Sequence, residues 1–120
     1  MTMKDESYIC HIVLPSKNLQ ESSRFYREVF GWKVEPQPGT SSLDLLPPSG
    51  KGNSAELNIE EKEVVPSIFA SDIKTALERI KQFGGKVVQG KTPIEEQAEH
   101  GYFALFEDPN GNKMCLFSEK

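Results

Sequence analysis

Phe30-Gly31-Trp32-Lys33-Val34 returns as Phe83-Gly84-Gly85-Lys86-Val87, the second copy differing only in carrying Gly85 where the first has Trp32. Five residues alone are a weak match. Each copy, however, follows a helical pattern of apolar residues and precedes a β-rich stretch, so one supersecondary unit occurs twice. The repeat divides the 120 residues into half-repeats at 7–60 and 64–120 of a single domain spanning residues 1–120. That length suits one core, since a domain of this size buries roughly two-thirds of the surface its unfolded chain exposes.

Upstream of the first copy, residues 9–14 (Ile-Cys-His-Ile-Val-Leu) are β-branched and apolar and stop at Pro15, as a strand does. Asn18 can cap a helix on which Leu19, Ser22, Tyr26, Val29 and Phe30 fall at steps of three and four. Gly31 tolerates the positive φ of a helix exit, and Trp32 restarts the chain as a strand. Residues 41–46 and 54–59 read as two further strands, joined by the turn-rich loop 47–53. The module is βαβββ.

After a polar connector at residues 60–63, the second module repeats the order. Residues 66–70 are its first strand. Ser71 or Asp72 caps a helix with an apolar face of Ile73, Ala76, Leu77, Ile80 and Phe83, and Gly84-Gly85 ends it. Strands are expected at 86–89, 102–107 and 112–118, with a polar stretch at 90–100 and the turn Asp108-Pro109-Asn110-Gly111 between the last two.

Composition narrows the function classes. A hydrophobic share of 37%, a charged share of 27% and a net charge of −4 describe a soluble globular chain with no basic surface for phosphates, which argues against nucleic acid as a partner. No apolar run approaches the roughly 20 residues of a membrane span. The polar residues 1–7 lack the basic-then-apolar order of a secretion signal, so a cytoplasmic protein is expected. The two cysteines, Cys10 and Cys115, lack zinc spacing and read as reduced, apolar strand residues.

The opening strand with His11, the stretch Phe25-Tyr26-Arg27-Glu28-Val29-Phe30-Gly31-Trp32 and the hairpin Phe106-Glu107-Asp108-Pro109-Asn110-Gly111-Asn112 together resemble the vicinal oxygen chelate superfamily, in its metal-poor, glyoxalase-like branch. The resemblance spans nearly the whole chain. It implies an α+β fold of the glyoxalase/bleomycin resistance type: two βαβββ modules forming curled mixed sheets around a shared cavity, usually completed by a homodimer. Relatives include glyoxalase I, extradiol dioxygenases, epimerases and drug-binding resistance proteins, so the fold does not select a reaction.

The resemblance also implies where a divalent metal would sit, on the first and last strands of each module, usually held by two histidines and two carboxylates. His11 and Glu56 match in the first module. In the second, the first-strand position falls near Pro66 and the last-strand position at Cys115, where enzymes of the superfamily carry glutamate. Hard ions prefer oxygen and imidazole ligands, so His11 and Glu56 alone would leave most of the coordination to water. A mixed site of His11, Glu56 and Cys115 holding Zn²⁺ with water in the open position is the metal alternative, and a divalent Zn, Ni, Mn or Fe is the cofactor such a protein would take. Without a metal, His11 is a strand histidine hydrogen-bonded in a polar pocket and Glu56 a solvated carboxylate.

Trp32, Tyr102 and Phe117 join His11, Glu56, His100 and Cys115 as candidate pocket residues, and alternation directs Cys115 and Phe117 to one face. His100 follows Glu95, Glu96 and Glu99 and reads as an exposed loop residue or as an acid/base at the pocket edge. Phe25 to Phe30 are expected in the core. Two functions follow: a small-molecule-binding protein without a four-ligand metal site, of the resistance or sequestering kind, or a metal-dependent lyase, isomerase or dioxygenase acting on a small oxygenated metabolite.

Overall fold

The structure is a computed structural model describing residues 7–120; residues 1–6, most of the polar start that argues against a secretion signal, lie outside the described residues. The chain forms two compact units, one of residues 10–65 and one of residues 66–120 together with the described residues before 10. Among the described residues, no helix is long and apolar enough to cross a membrane.

The first unit contains β1 (Tyr8–Pro15, its first two residues counted with the other unit), α1 (Leu19–Phe30), β2 (Lys33–Pro36), β3 (Leu43–Leu46) and β4 (Ser54–Asn58). Its strands lie in the order β2-β3-β4-β1. The β2–β3 and β3–β4 pairs are antiparallel, and β1–β4 is parallel. Asn18 caps α1 as expected, its side chain accepting the Glu21 N–H at 3.0 Å, and Gly31 closes the helix at φ 70° while its N–H reaches Arg27 O at 2.9 Å.

One face of this sheet meets α1. Leu45, Ala55 and Leu57 are buried there, with Leu14, Leu19, Tyr26, Trp32 and Val34 packed around them. A straight helix offers the sheet only a narrow stripe, here Leu19, Ser23 and Tyr26. Phe25, Val29 and Phe30 consequently remain more than half exposed, against the expectation of a core position.

The second unit contains β5 (Val65–Phe69, its first residue counted with the other unit), α2 (Ile73–Gln82), β6 (Lys86–Pro93), β7 (Tyr102–Glu107) and β8 (Lys113–Ser118), with strand order β5-β8-β7-β6. The pattern of directions repeats: β5–β8 is parallel, β7–β8 and β6–β7 antiparallel. Asp72, rather than Ser71, caps α2, accepting the Thr75 N–H at 3.1 Å. Ile73, Ala76 and Leu77 are buried with Ala70, Ala104, Phe106 and Leu116. Phe83 lies beyond the last helical residue and is 71% exposed, so it leaves the expected apolar face.

Strand β6 runs on to Pro93, four residues past the expected end, through register shifts between Val87 and Gln89 and between Gln89 and Thr92. Its outer place in the order permits this, because a strand edge needs no N–H from Pro93. Gly101, at φ 97°, then enters β7 under Ser118: a Cβ there would lie 2.4 Å from the Ser118 carbonyl oxygen. Gly50 also has positive φ (71°) but open space around it. Gly50→Ala is expected to cost only the backbone term, about 1 kcal/mol. Gly101→Ala should lose about 1–3 kcal/mol more through overpacking; urea unfolding of both variants measures the difference.

Candidate functional site

The face of the first sheet that does not meet α1 is polar. In the parallel ladder His11 stands beside Ser54 and Val13 beside Glu56, and in the antiparallel ladder Asp44 stands opposite Glu56. Paired residues share a face, and alternation adds Asn58 to it, two positions beyond Glu56. The sequence Ser54-Ala55-Glu56-Leu57-Asn58 therefore sends three polar side chains one way and two apolar ones into the core under α1.

These groups are joined by hydrogen bonds. The two ring nitrogens of His11 are both engaged, Nδ1 with Ser54 Oγ at 2.8 Å and Nε2 with Glu56 Oε1 at 3.0 Å. Asn58 Nδ2 donates to Glu56 Oε2 at 3.4 Å. Gln37 also hydrogen-bonds Glu56 through its side chain, and its Nε2 donates to Asp44 Oδ1 at 2.9 Å. Two carboxylates facing each other across strands repel. Gln37 offers its amide hydrogens to both, and Thr40 Oγ1 donates to the side-chain oxygen Gln37 Oε1 at 2.9 Å.

Burial alone would raise the Glu56 carboxyl, whose side chain is only 12% exposed. Hydrogen bonds from His11, Gln37 and Asn58, with the charge of His11, outweigh it and hold Glu56 below its ordinary value of 4.5. Glu56 is thus a partnered, mostly buried anion and not the solvated carboxylate expected of a bare sheet position. Ser54, Asn58, Gln37 and Asp44 were not among the residues the sequence singled out. Strand alternation around Glu56 carries the signal for Ser54 and Asn58; Gln37 and Asp44 come from other segments and are legible only in the fold.

The equivalent positions of the second unit follow from the backbone. Ser16 N–H bonds Asn58 O as Ala70 N–H bonds Phe117 O, and Val13 pairs with Glu56 as Ser67 pairs with Cys115. Cys115 is therefore the counterpart of Glu56, as expected. The counterpart of His11 is Val65, one residue before the Pro66 position that the sequence suggested, and its buried isopropyl group is no ligand.

Cys115 and Phe117 do share a face, and Leu105 and Phe103 pair with them there. Phe69 completes that face beside Phe117 at 6.3 Å, with Tyr8 stacked on Phe69 at 5.3 Å. Where the first unit is polar, the second is aromatic and aliphatic. Tyr102 is on the opposite, helix-facing side, packed against the core, with Lys91 Nζ 4.4 Å from its ring. Trp32 likewise packs toward α1, stacked on Tyr26 at 5.4 Å.

His100 is half exposed, and Glu95 accepts both its backbone N–H, at 2.8 Å, and its ring Nδ1. The backbone hydrogen bond from His100 is the first cause holding Glu95 below its ordinary range. This pair closes the 94–101 loop locally. Of the sequence-selected residues, the structure joins His11 with Glu56 and Cys115 with Phe117.

The donor set does not meet the demands of a four-ligand metal. His11 and Glu56 are committed to each other and to Ser54, Gln37 and Asn58, and their counterparts are Val65 and Cys115. Among the described residues, no group of three or more His, Cys, Asp or Glu is placed to hold a metal ion.

The lowered Glu56 carboxyl has a pH consequence. Its contribution to stability is fully present above about pH 4.5, the ordinary value, and is lost as pH falls through the lower folded value, because only the unfolded chain binds the proton in that window. Glu56→Gln is expected to flatten this part of the acid limb, measured by urea unfolding midpoints from neutral pH down to about pH 3.

Residues 11–117 match the family described as Glyoxalase-like domain. A glyoxylase-like domain-containing protein of Didymella fabae is 25% identical over 118 residues, covering 90% of this chain and 91% of that protein. Among solved structures, a glyoxalase/bleomycin resistance protein/dioxygenase superfamily member from Vibrio splendidus 12B01 is similar with a TM-score of 0.68 at 15% identity, covering 93% of this chain and 97% of that one. Methylmalonyl-CoA epimerase from Mycobacterium tuberculosis is similar with a TM-score of 0.69 at 14% identity, covering 92% and 86%. At such identities the structural likeness establishes the fold alone. With two units of the same βαβββ order and a family match over nearly its whole length, the chain belongs to the glyoxalase-like domain family and has the glyoxalase/bleomycin resistance fold.

Proposed function

We propose that this protein binds a small molecule without a four-ligand metal site, in the manner of a resistance or sequestering protein. One observation carries the reading: His11 and Glu56 satisfy each other at 3.0 Å, while the matching positions of the second unit hold Val65 and Cys115. An ion would have to break that pair and a hydrogen bond from each of Ser54 and Asn58 before finding a third ligand. The polar groups that would fix a ligand's orientation are His11, Glu56 and Asn58, the few placed polar contacts that small-molecule sites use.

The second reading, a metal-dependent lyase, isomerase or dioxygenase, is favoured by the juxtaposition of one imidazole and one carboxylate. Thermal unfolding with Zn²⁺, Ni²⁺, Mn²⁺ or Mg²⁺ separates the two. A bound ion at 100 times its Kd would stabilise the fold by about 2.7 kcal/mol, a rise of several degrees in Tm. The expected result is no rise that depends on His11; stabilisation present in the wild type and absent in His11→Ala would establish the metal reading instead.

A further inference from the structure

We propose that Ser54, His11 and Glu56 form a nucleophilic relay, with Ser54 as an acyl acceptor, and that the protein takes small esters or similarly activated acyl compounds at this face. This rests on the metal-independent reading, because the relay needs the imidazole with no cation on it. The three side chains come from two strands brought side by side by the parallel ladder, with His11 in register with Ser54. Hydroxyl, imidazole and carboxylate then lie in one line of hydrogen bonds, at 2.8 Å and 3.0 Å.

The direction of those bonds is set by chemistry. An ionised carboxylate only accepts, so in the neutral ring Nε2 carries the hydrogen given to Glu56 and Nδ1 presents its lone pair to Ser54. Ser54 therefore donates its hydroxyl proton to a basic nitrogen. The connectivity is that of serine hydrolases with the two ring nitrogens exchanged, an arrangement recognised by geometry and roles, not by order in the chain. A hydroxyl paired to a base whose other nitrogen is oriented by a third group is the signature of an activated nucleophile. The imidazole is 22% exposed, Ser54 is only partly buried, and the loop at 48–53 that delivers Ser54 is exposed, so an acyl group has access from solvent.

In the step, Ser54 Oγ attacks the acyl carbonyl carbon while its proton passes to His11 Nδ1. The bond from that carbon to the leaving oxygen breaks, and the leaving group takes the proton from Nδ1 and departs as an alcohol. Water then attacks the Ser54 ester by the reverse proton route, releasing the carboxylic acid and restoring the hydroxyl. Nothing is oxidised or reduced. Ser54 and His11 act on the reacting atoms, and Glu56 is a positioning residue that holds the ring in the useful tautomer.

The test exposes the full chain to p-nitrophenyl acetate, following nitrophenolate release and mapping acetylated peptides by mass spectrometry. Acetylation at Ser54 is expected, absent in Ser54→Ala and about 10²- to 10⁴-fold slower in His11→Ala, the range of general base catalysis. Glu56→Gln should lower the maximal acetylation rate, and Glu56→Asp, which keeps a carboxylate for the ring, should restore part of it. Circular dichroism checks each variant, and His11→Gln replaces His11→Ala should the latter fail to fold. Acetyl groups on lysines or cysteines but not on Ser54, or acetylation of Ser54 at an equal rate without His11, would overturn the relay. Metal-dependent thermal shifts give a separate readout: absent acetylation with no metal response defeats the relay alone, whereas His11-dependent metal stabilisation defeats the binding reading beneath it.

Discussion

The parallel ladder between β1 and β4 is the constraint on which the first unit depends. It places His11 beside Ser54 and Val13 beside Glu56, joining side chains 43 and 45 positions apart in the chain. Side chains alternate across a strand, so a slip of one residue would exchange the two faces. If β1 slipped, Leu14 would leave the helix-facing cluster and His11 would turn into it, away from Ser54 and Glu56 on β4. Burial of the apolar set under α1 and assembly of the polar set on the other face are one event. The register that lowers the free energy of the core is also the register that builds the site.

The second unit repeats the backbone solution and changes the chemistry. Its β5–β8 ladder has the same direction and the same closing hydrogen bond, with Ala70 N–H on Phe117 O. Yet the face that carries His11 and Glu56 in the first unit carries Val65, Cys115, Phe117, Phe103 and Leu105 here. Only the helix-facing positions must stay apolar for a unit of this kind to fold. The other face is free to diverge, which is why one architecture serves unrelated functions.

Within the polar face the difficult group is Glu56, a mostly buried carboxylate with Asp44 directly across. Left alone, such a pair would raise its pKa and weaken the sheet. Gln37 lies just beyond the end of β2 and supplies amide hydrogens to both anions, while His11 and Asn58 take the remaining approaches to Glu56. Every member of the network has a partner, and no buried side-chain nitrogen or oxygen among the described residues lacks one. A fully satisfied network of this kind is rigid, which suits a site that must present its groups in a fixed geometry.

Much of this was legible in the chain itself. Helix caps at Asn18 and Asp72, the exit at Gly31 and the recurring Phe-Gly-x-Lys-Val motif are local signals, and local backbone preferences act wherever they occur. Alternation placed Cys115 with Phe117 for the same reason. The tertiary structure alone decided that Gln37 bridges Asp44 and Glu56, that Phe25, Val29 and Phe30 miss the core, that Tyr102 faces α2 and that β6 extends to Pro93. These outcomes depend on which strand lies beside which, and on how wide a stripe a helix can bury. Periodicity says which residues share a face, but it carries no information about what the opposite surface will be.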